Sequence, residues 1–211
     1  MFYKDRDHVY RVRPLAALAW LEHGFGTRHS ARPRAATLHQ VHSAVCIAAE
    51  GRGGCLGDGD ALLENTPGSS VAVKTADCLP LLLVDPARRA VAAVHAGWRG
   101  TAQRIAQAAV RSMTERFGTD PVDLLAALGP AIGPCCYEVG AEVAARFGLG
   151  DGRARVDLAA INRGQLERMG VRPENIYSSG LCTMCNPDDF YSYRRERERA
   201  GRMYSAVGIA R

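Results

Sequence analysis

The stretch LPLLLVDPARRAVAAVHAG, from Leu79 to Gly97, constrains the fold of this chain more than any other segment. Two short apolar runs, Leu79–Val84 and Ala90–His95, flank Asp85-Pro86-Ala87-Arg88. Asp and Pro are turn formers, and apolar runs of this length bounded by turn residues read as buried strands. The segment is therefore expected to form a hairpin of buried strands. Further strands are expected at Ala44–Ala49, Val71–Lys74, Leu124–Leu128 and Met203–Ile209. Helical spacing of Ala102, Ile105, Ala109, Val110, Met113 and Phe117 predicts one helix over Thr101–Phe117, stopped by Gly118. Others are expected at Asp157–Met169 and at about Gly140–Phe147. Gly51–Gly59 reads as a loop. Runs of strands between helices, without strict alternation, give a mixed-sheet α+β class.

At 211 residues the chain suits one domain, with a core large enough to need no disulfides. Its longest run free of charged and polar side chains, Leu124–Cys136, is too short to span a bilayer. The charged N-terminus lacks an apolar signal region, which reads as a soluble cytoplasmic protein. Of 27 cationic residues only Lys4 and Lys74 are lysines, and the formal net charge is +5. Arginines grip phosphate or carboxylate bidentately, so an anionic ligand is one reading and a codon bias the other. No basic stripe with interleaved aromatics marks a nucleic-acid surface. Seven cysteines without a secretion signal are expected to be reduced.

Several segments carry candidate chemistry. In VAAVHAGWRGT a buried strand reaches His95, then a glycine turn, then the long helix. Such a turn presents backbone N–H groups to an anion, with Arg99 beside them. His39 and His42 lie in LHQVHSAV; on a helix they would share a face and could chelate a metal, but Val41, Val45 and Ile47 favour a strand, on which they point to opposite faces, so one of them enters a site. Cys78 is a buried hydrophobe, a nucleophile or a metal ligand, and Asp77 beside it is a candidate to orient a histidine. Cys182 and Cys185 form a lone CxxC. A four-cysteine site needs a second pair, and Cys135-Cys136 has no spacing, so Cys182 and Cys185 are expected to be structurally buried and not to ligate a metal. Tyr191, Tyr193, Arg194, Arg195 and Arg202 sit together near the C-terminus and suit a base with a phosphate. His42 to Cys78 is 36 residues and Cys78 to His95 is 17, so spacing alone assembles no site.

The stretches HQVHS, GDGDAL, TADCLPLLLVD, VAAVHAGWRGT, LGPAIGPCCYEVG, INRGQLERMGV and FYSYRRERERAGR occur in one order over Leu38–Ile209. Together they resemble the YfiH-like, laccase-domain (polyphenol oxidoreductase) family, associated with purine nucleoside phosphorylase activity. The resemblance implies a layered α/β sandwich with mixed β-sheets and a zinc ion held by His42, Cys78 and His95. It implies phosphorolysis of adenosine, inosine and methylthioadenosine, with adenosine deamination alongside. The partners are then a purine nucleoside and phosphate, with no nucleic acid and no membrane, and the chain a monomer or homodimer. Arg99, Tyr193, Arg194 and Arg202 are the expected substrate and phosphate contacts. Only ten residues separate Thr27-Arg28 from His39, so the region before HQVH is shorter than the family's. Two alternatives use the same residues: a cysteine hydrolase with Cys78 and His95, and a copper polyphenol oxidase. Six histidines are few for a multi-copper centre.

Overall fold

The computed structural model describes all 211 residues. Two sheets and a helical layer stack as β–β–α, in keeping with the expected layered sandwich of mixed sheets. The six-stranded sheet runs in the order Ile176–Ser178, Leu125–Leu128, Leu79–Asp85, Ala90–Ala96, Ala61–Glu64, Cys46–Ala48. Its two edge pairings are parallel and its interior is antiparallel. The five-stranded sheet is antiparallel throughout, in the order Phe2–Lys4, Val9–Val12, Leu21–Gly26, Met203–Ile209, Ser70–Thr75.

The expected hairpin sits at the centre, in a register that pairs Ala90 with Asp85 and Ala96 with Leu79. Asp85 closes its turn by accepting from the Ala87 and Arg88 amides at 2.9 and 3.0 Å. Strand alternation gives each strand two buried faces. Leu81, Leu83, Ala92 and Val94 face the helices Ile105–Phe117 and Leu158–Arg168. Leu82, Val84, Val91 and Ala93 face the other sheet, against Phe25, Val71, Val73 and Val207. Truncating a fully buried leucine of this kind costs roughly 2–5 kcal/mol.

The expected helices at Asp157–Met169 and Gly140–Phe147 are present as Leu158–Arg168, with Asp157 capping the Ala160 amide at 2.9 Å, and as Ala141–Ala145. The expected Thr101–Phe117 helix is broken. Trp98–Ala102 and Ile105–Phe117 are separate helices, because Arg104 between them takes a left-handed backbone at φ 64°. Gly51–Gly59 is not all loop: Cys55–Asp58 pairs in parallel with Thr37–His39. No helix is long and apolar enough to cross a membrane.

His23, on Leu21–Gly26, is buried, and its Nε2 accepts the Val12 amide at 2.9 Å. Burial, helped by the Arg11 charge, pushes its pKa down to about 4. The unfolded chain binds this proton near pH 6.5 and the folded chain resists it. Stability from this group is therefore complete above about pH 6.5 and is lost as pH falls towards 4, by up to about 3 kcal/mol. Urea titrations of wild type and His23→Gln between these pH values should show a flatter acid limb in the variant. Parallel limbs would refute the assignment.

Candidate functional site

Three strand ends bring distant residues to one edge of the central sheet. His95 is near the end of Ala90–Ala96 and pairs with Pro80; Val94 pairs with Ala61. The strands beginning at Leu79 and Ala61 run antiparallel to it, so Cys78 and Asp60, one residue before each start, lie beside His95. The loop after Thr37–His39 adds His42. The nitrogen and sulfur donors of His42, Cys78 and His95 lie within 4.8 Å of one another. His42 Nε2 is 3.9 Å from Cys78 Sγ, and the two imidazoles meet edge-on at 4.9 Å.

Asp60 organises this cluster. It is fully buried, and its carboxylate accepts from the His42 amide (3.1 Å), the Ser43 amide (2.6 Å), the Ser43 hydroxyl (2.7 Å) and His95 Nδ1 (2.8 Å). Although burial raises a carboxyl's pKa, the His95 and Ser43 hydrogen bonds overcome it and hold Asp60 at about 2. Engaging Nδ1 leaves His95 Nε2 to face Cys78. Burial also opposes ionisation of Cys78, yet the His95 charge and the His42 contact bring the thiol down to about 6. His95 moves oppositely: burial lowers it, but Cys78 and Asp60 raise it to about 9.

Local backbone conformation is spent on this arrangement. His42 and Asp77 both have positive φ, at 60° and 86°. Such residues cost roughly 1–3 kcal/mol and persist only where their surroundings dictate them. Gly97 lets the donors pack closely: a Cβ there would stand 3.0 Å from both Cys78 Sγ and His42 Cδ2 and would press on them.

The cluster opens into a cavity of about 530 Å³, within the usual range for small-molecule sites. Arg99, Arg194, Arg197, Arg202 and Lys74 line it, with Trp98, Tyr137 and Tyr193. The Arg99 guanidinium lies 4.3 Å over the Trp98 ring. Arg194 donates to the Glu138 carbonyl at 3.0 Å and sits over Tyr137. Arg202 donates to the Ala200 carbonyl at 2.7 Å, and Tyr193 to Glu198 at 2.7 Å. His42, Cys78, His95, Arg99, Tyr193, Arg194 and Arg202 thus border one cavity, whereas Tyr191, under the Arg28 guanidinium, and Arg195, bound to the Thr183 and Met184 carbonyls, do not.

Other expectations need correction. The strand ends at His39, and His42 follows in a loop, so strand alternation does not separate them. Val41 and Val45, which favoured a strand there, are exposed. His39 stays out of the donor set and pairs with Asp58 at 2.9 Å on the cavity rim. Asp77 orients no histidine. It accepts from the Thr183 and Ser192 hydroxyls and the Arg194 amide, at 2.6, 3.0 and 2.7 Å. Sequence reasoning missed Asp60 and Arg197. An acidic residue opening the apolar run Ala61–Leu63 was the available signal for Asp60. The Cys182–Cys185 pair is not simply buried: Cys185 is exposed, and the pair has partners, Cys135 and Cys136, in a second sulfur cluster.

The donor set fits a zinc ion. Two imidazoles and a thiolate are its preferred ligands, they leave one position open, and a carboxylate behind a ligating histidine is the usual support.

A layered β–β–α protein with two imidazoles and a thiol at the floor of an arginine-lined cavity is thus defined by geometry alone. Residues 18–210 match the family described as multi-copper polyphenol oxidoreductase laccase, and the chain belongs to that family. It is 44% identical to the purine nucleoside phosphorylase of Deinococcus radiodurans, over 95% of this chain and 76% of that protein. It is 41% identical to adenosine deaminase RL5, from an unknown prokaryotic organism, over 70% of this chain and 61% of that protein. The crystal structure of YlmD from Geobacillus stearothermophilus superposes with a TM-score of 0.88 at 28% identity, covering 100% of this chain and 99% of that one.

Replacing Asp60 with Asn should weaken zinc binding at His42, Cys78 and His95 by about 10–100-fold, while His39→Ala leaves it unchanged. Competition with a chromogenic chelator measures both. Equal losses in the two variants would refute the assignment of His39 to the rim.

Proposed function

We propose that this protein is a zinc-dependent purine nucleoside phosphorylase acting on adenosine, inosine and methylthioadenosine, with an associated adenosine deaminase activity. The observation that carries the reading is the juxtaposition of a His42–Cys78–His95 donor set with four cavity arginines. The name of one relative supports the phosphorolysis and that of another the deamination.

In phosphorolysis the bond from the ribose C1′ to the purine nitrogen breaks and one from C1′ to a phosphate oxygen forms. The base leaves with the bonding electrons and takes up a proton. Arg99, Arg194 and Arg202 are the groups that receive the phosphate, since forked guanidiniums match its oxygens. Stacking on Trp98 fixes the plane of Arg99 before the anion arrives. Tyr137 and Tyr193 offer ring faces to the purine. A zinc ion held by His42, Cys78 and His95 supplies Lewis-acid stabilisation of developing negative charge. The Asp60 carboxylate keeps His95 oriented throughout.

A cysteine-hydrolase reading is favoured by one observation, the low pKa of Cys78 beside His95. It differs in needing no metal. A copper oxidase is disfavoured because His8, His23, His29 and His39 do not join the donor set.

Adenosine or inosine with phosphate should give free base and ribose 1-phosphate, detected by chromatography. Chelation should abolish turnover and zinc should restore it. Arg99→Ala should raise the KM for phosphate about 10–150-fold, the equivalent of a charge-assisted contact of about 1.5–3 kcal/mol, with zinc content unchanged. Turnover in verified zinc-free protein would overturn the reading in favour of a Cys78 nucleophile. Copper in place of zinc, with phenol oxidation, would overturn it in favour of an oxidase.

A further inference from the structure

A second sulfur cluster lies outside the cavity. Cys135 and Cys136 come from the loop after Leu125–Leu128, and Cys182 and Cys185 from the loop after Ile176–Ser178. These two strands are parallel neighbours, so their following loops leave the same end of the sheet. The loops are laced together: the Ala131 amide donates to the Leu181 carbonyl at 3.2 Å and the Thr183 amide to the Ala131 carbonyl at 3.0 Å. All four sulfurs lie within 4.8 Å of one another. Cys185 Sγ is 3.7 Å from Cys135 Sγ and 3.4 Å from Cys136 Sγ.

We propose that Cys135, Cys136, Cys182 and Cys185 form a closed four-thiolate zinc site that staples these two loops. A tetrahedron of sulfurs about 2.3 Å from zinc has edges of about 3.8 Å. The 3.7 and 3.4 Å separations lie just below that value, and all four sulfurs stay within 4.8 Å. Adjacent cysteines reach one ion because residues 133–137 form a single tight turn. The Cys136 and Tyr137 amides both donate to the Gly133 carbonyl, at 3.0 and 2.9 Å. Gly133 leaves room for the sulfurs: a Cβ there would be 3.3 Å from Cys135 Sγ and 3.4 Å from Cys182 Cβ. Its amide donates to the buried Cys182 Sγ at 3.3 Å, a contact that supports a thiolate ligand. Four thiols so close would repel as thiolates, and a tetrahedral soft-ligand cation removes that repulsion. With all four positions taken by sulfur the site is structural.

The staple has a consequence for the cavity. One loop carries Ile132 and Tyr137, which line it. The other carries Thr183, whose hydroxyl donates to Asp77 beside Cys78. Arg195 ties down the second loop through the Thr183 and Met184 carbonyls, at 3.1 and 2.9 Å. The four-thiolate site thus braces one loop that lines the cavity and a second that reaches it through Asp77.

Full-length protein purified anaerobically in zinc-supplemented buffer tests this by elemental analysis. Wild type should hold two equivalents of zinc, and Cys78→Ser and Cys185→Ser should each hold one fewer. Cobalt added to zinc-stripped Cys78→Ser should give the intense sulfur-to-cobalt charge-transfer bands of a four-thiolate centre, and these should vanish in Cys78→Ser/Cys185→Ser. Cys185 is exposed, so its replacement by Ser does not disturb the core. Unchanged zinc in Cys185→Ser overturns the proposal. So does a cobalt spectrum in Cys78→Ser without four-thiolate bands, a disulfide in the anaerobic protein, or iron as the resident metal. Loss of zinc in Cys78→Ser alone would uphold the cavity site and refute this one. Loss in Cys185→Ser alone would do the reverse.

Discussion

The Asp60 carboxylate is buried with no cation beside it except the imidazole it orders. A carboxylate taken out of water is costly unless its oxygens are satisfied. Here two backbone amides, a hydroxyl and His95 Nδ1 satisfy them. These donors serve two requirements of the site. The His42 and Ser43 amides fix the loop that carries His42, including its left-handed backbone, and the Nδ1 bond fixes which nitrogen of His95 points at Cys78. The main chain takes part as well, since the His95 amide donates to the Asp60 carbonyl at 2.7 Å. One residue therefore sets the loop, the rotamer and the tautomer together.

Asp60 can do this because of the register of three central strands. An antiparallel pair places the end of one strand beside the start of the next. With Ala90–Ala96 in the middle, the residues just before Ala61 and Leu79 converge on its end from both sides. Separations of 17 residues, Cys78 to His95, and 35 residues, Asp60 to His95, thus become contacts without any local motif. The apolar character of the hairpin, which buries both of its faces, also makes its edge a rigid mount for the three donors.

This accounts for what was legible in the sequence. The central hairpin, the helix capped by Asp157 and the Met203–Ile209 strand carry their own signals: apolar runs, a cap and β-branched residues. The donor triad does not. Its members were identified through the family's motifs, and no property of the 39–42 segment announced that the strand would stop at His39. The left-handed residues His42, Asp77 and Arg104 were unreadable for a common reason. Each is held by tertiary contacts or a helix junction that overrides the preference of its type. Asp60 was present in GDGDAL, but a lone aspartate reads as a turn residue until the strand pairing shows it buried. The Cys135-Cys136 pair was set aside because adjacent ligands lack the usual spacing. The tight turn at Gly133 removes that objection, and no rule of spacing encodes such a turn.

Asp77 marks where the two sulfur-bearing sites meet. It lies one residue before Cys78, and its side chain points away from the donor set towards Thr183, Ser192 and Arg194. Through Thr183 it touches the loop of Cys182 and Cys185, and through the Arg194 amide it starts the short helix Tyr193–Glu196 that presents Tyr193 and Arg194 to the cavity. The Ile132 amide donates to its carbonyl at 2.9 Å, which adds the loop of Cys135 and Cys136. A left-handed aspartate thus couples the strand start, both cysteine loops and the arginine-bearing helix through side chain and main chain alike. Its carboxylate is engaged by Thr183, Ser192 and Arg194 and not by the histidines of the donor set. The floor of the cavity is left to imidazole and thiol and its walls largely to guanidinium, the division of charge on which the proposed phosphate co-substrate would rely.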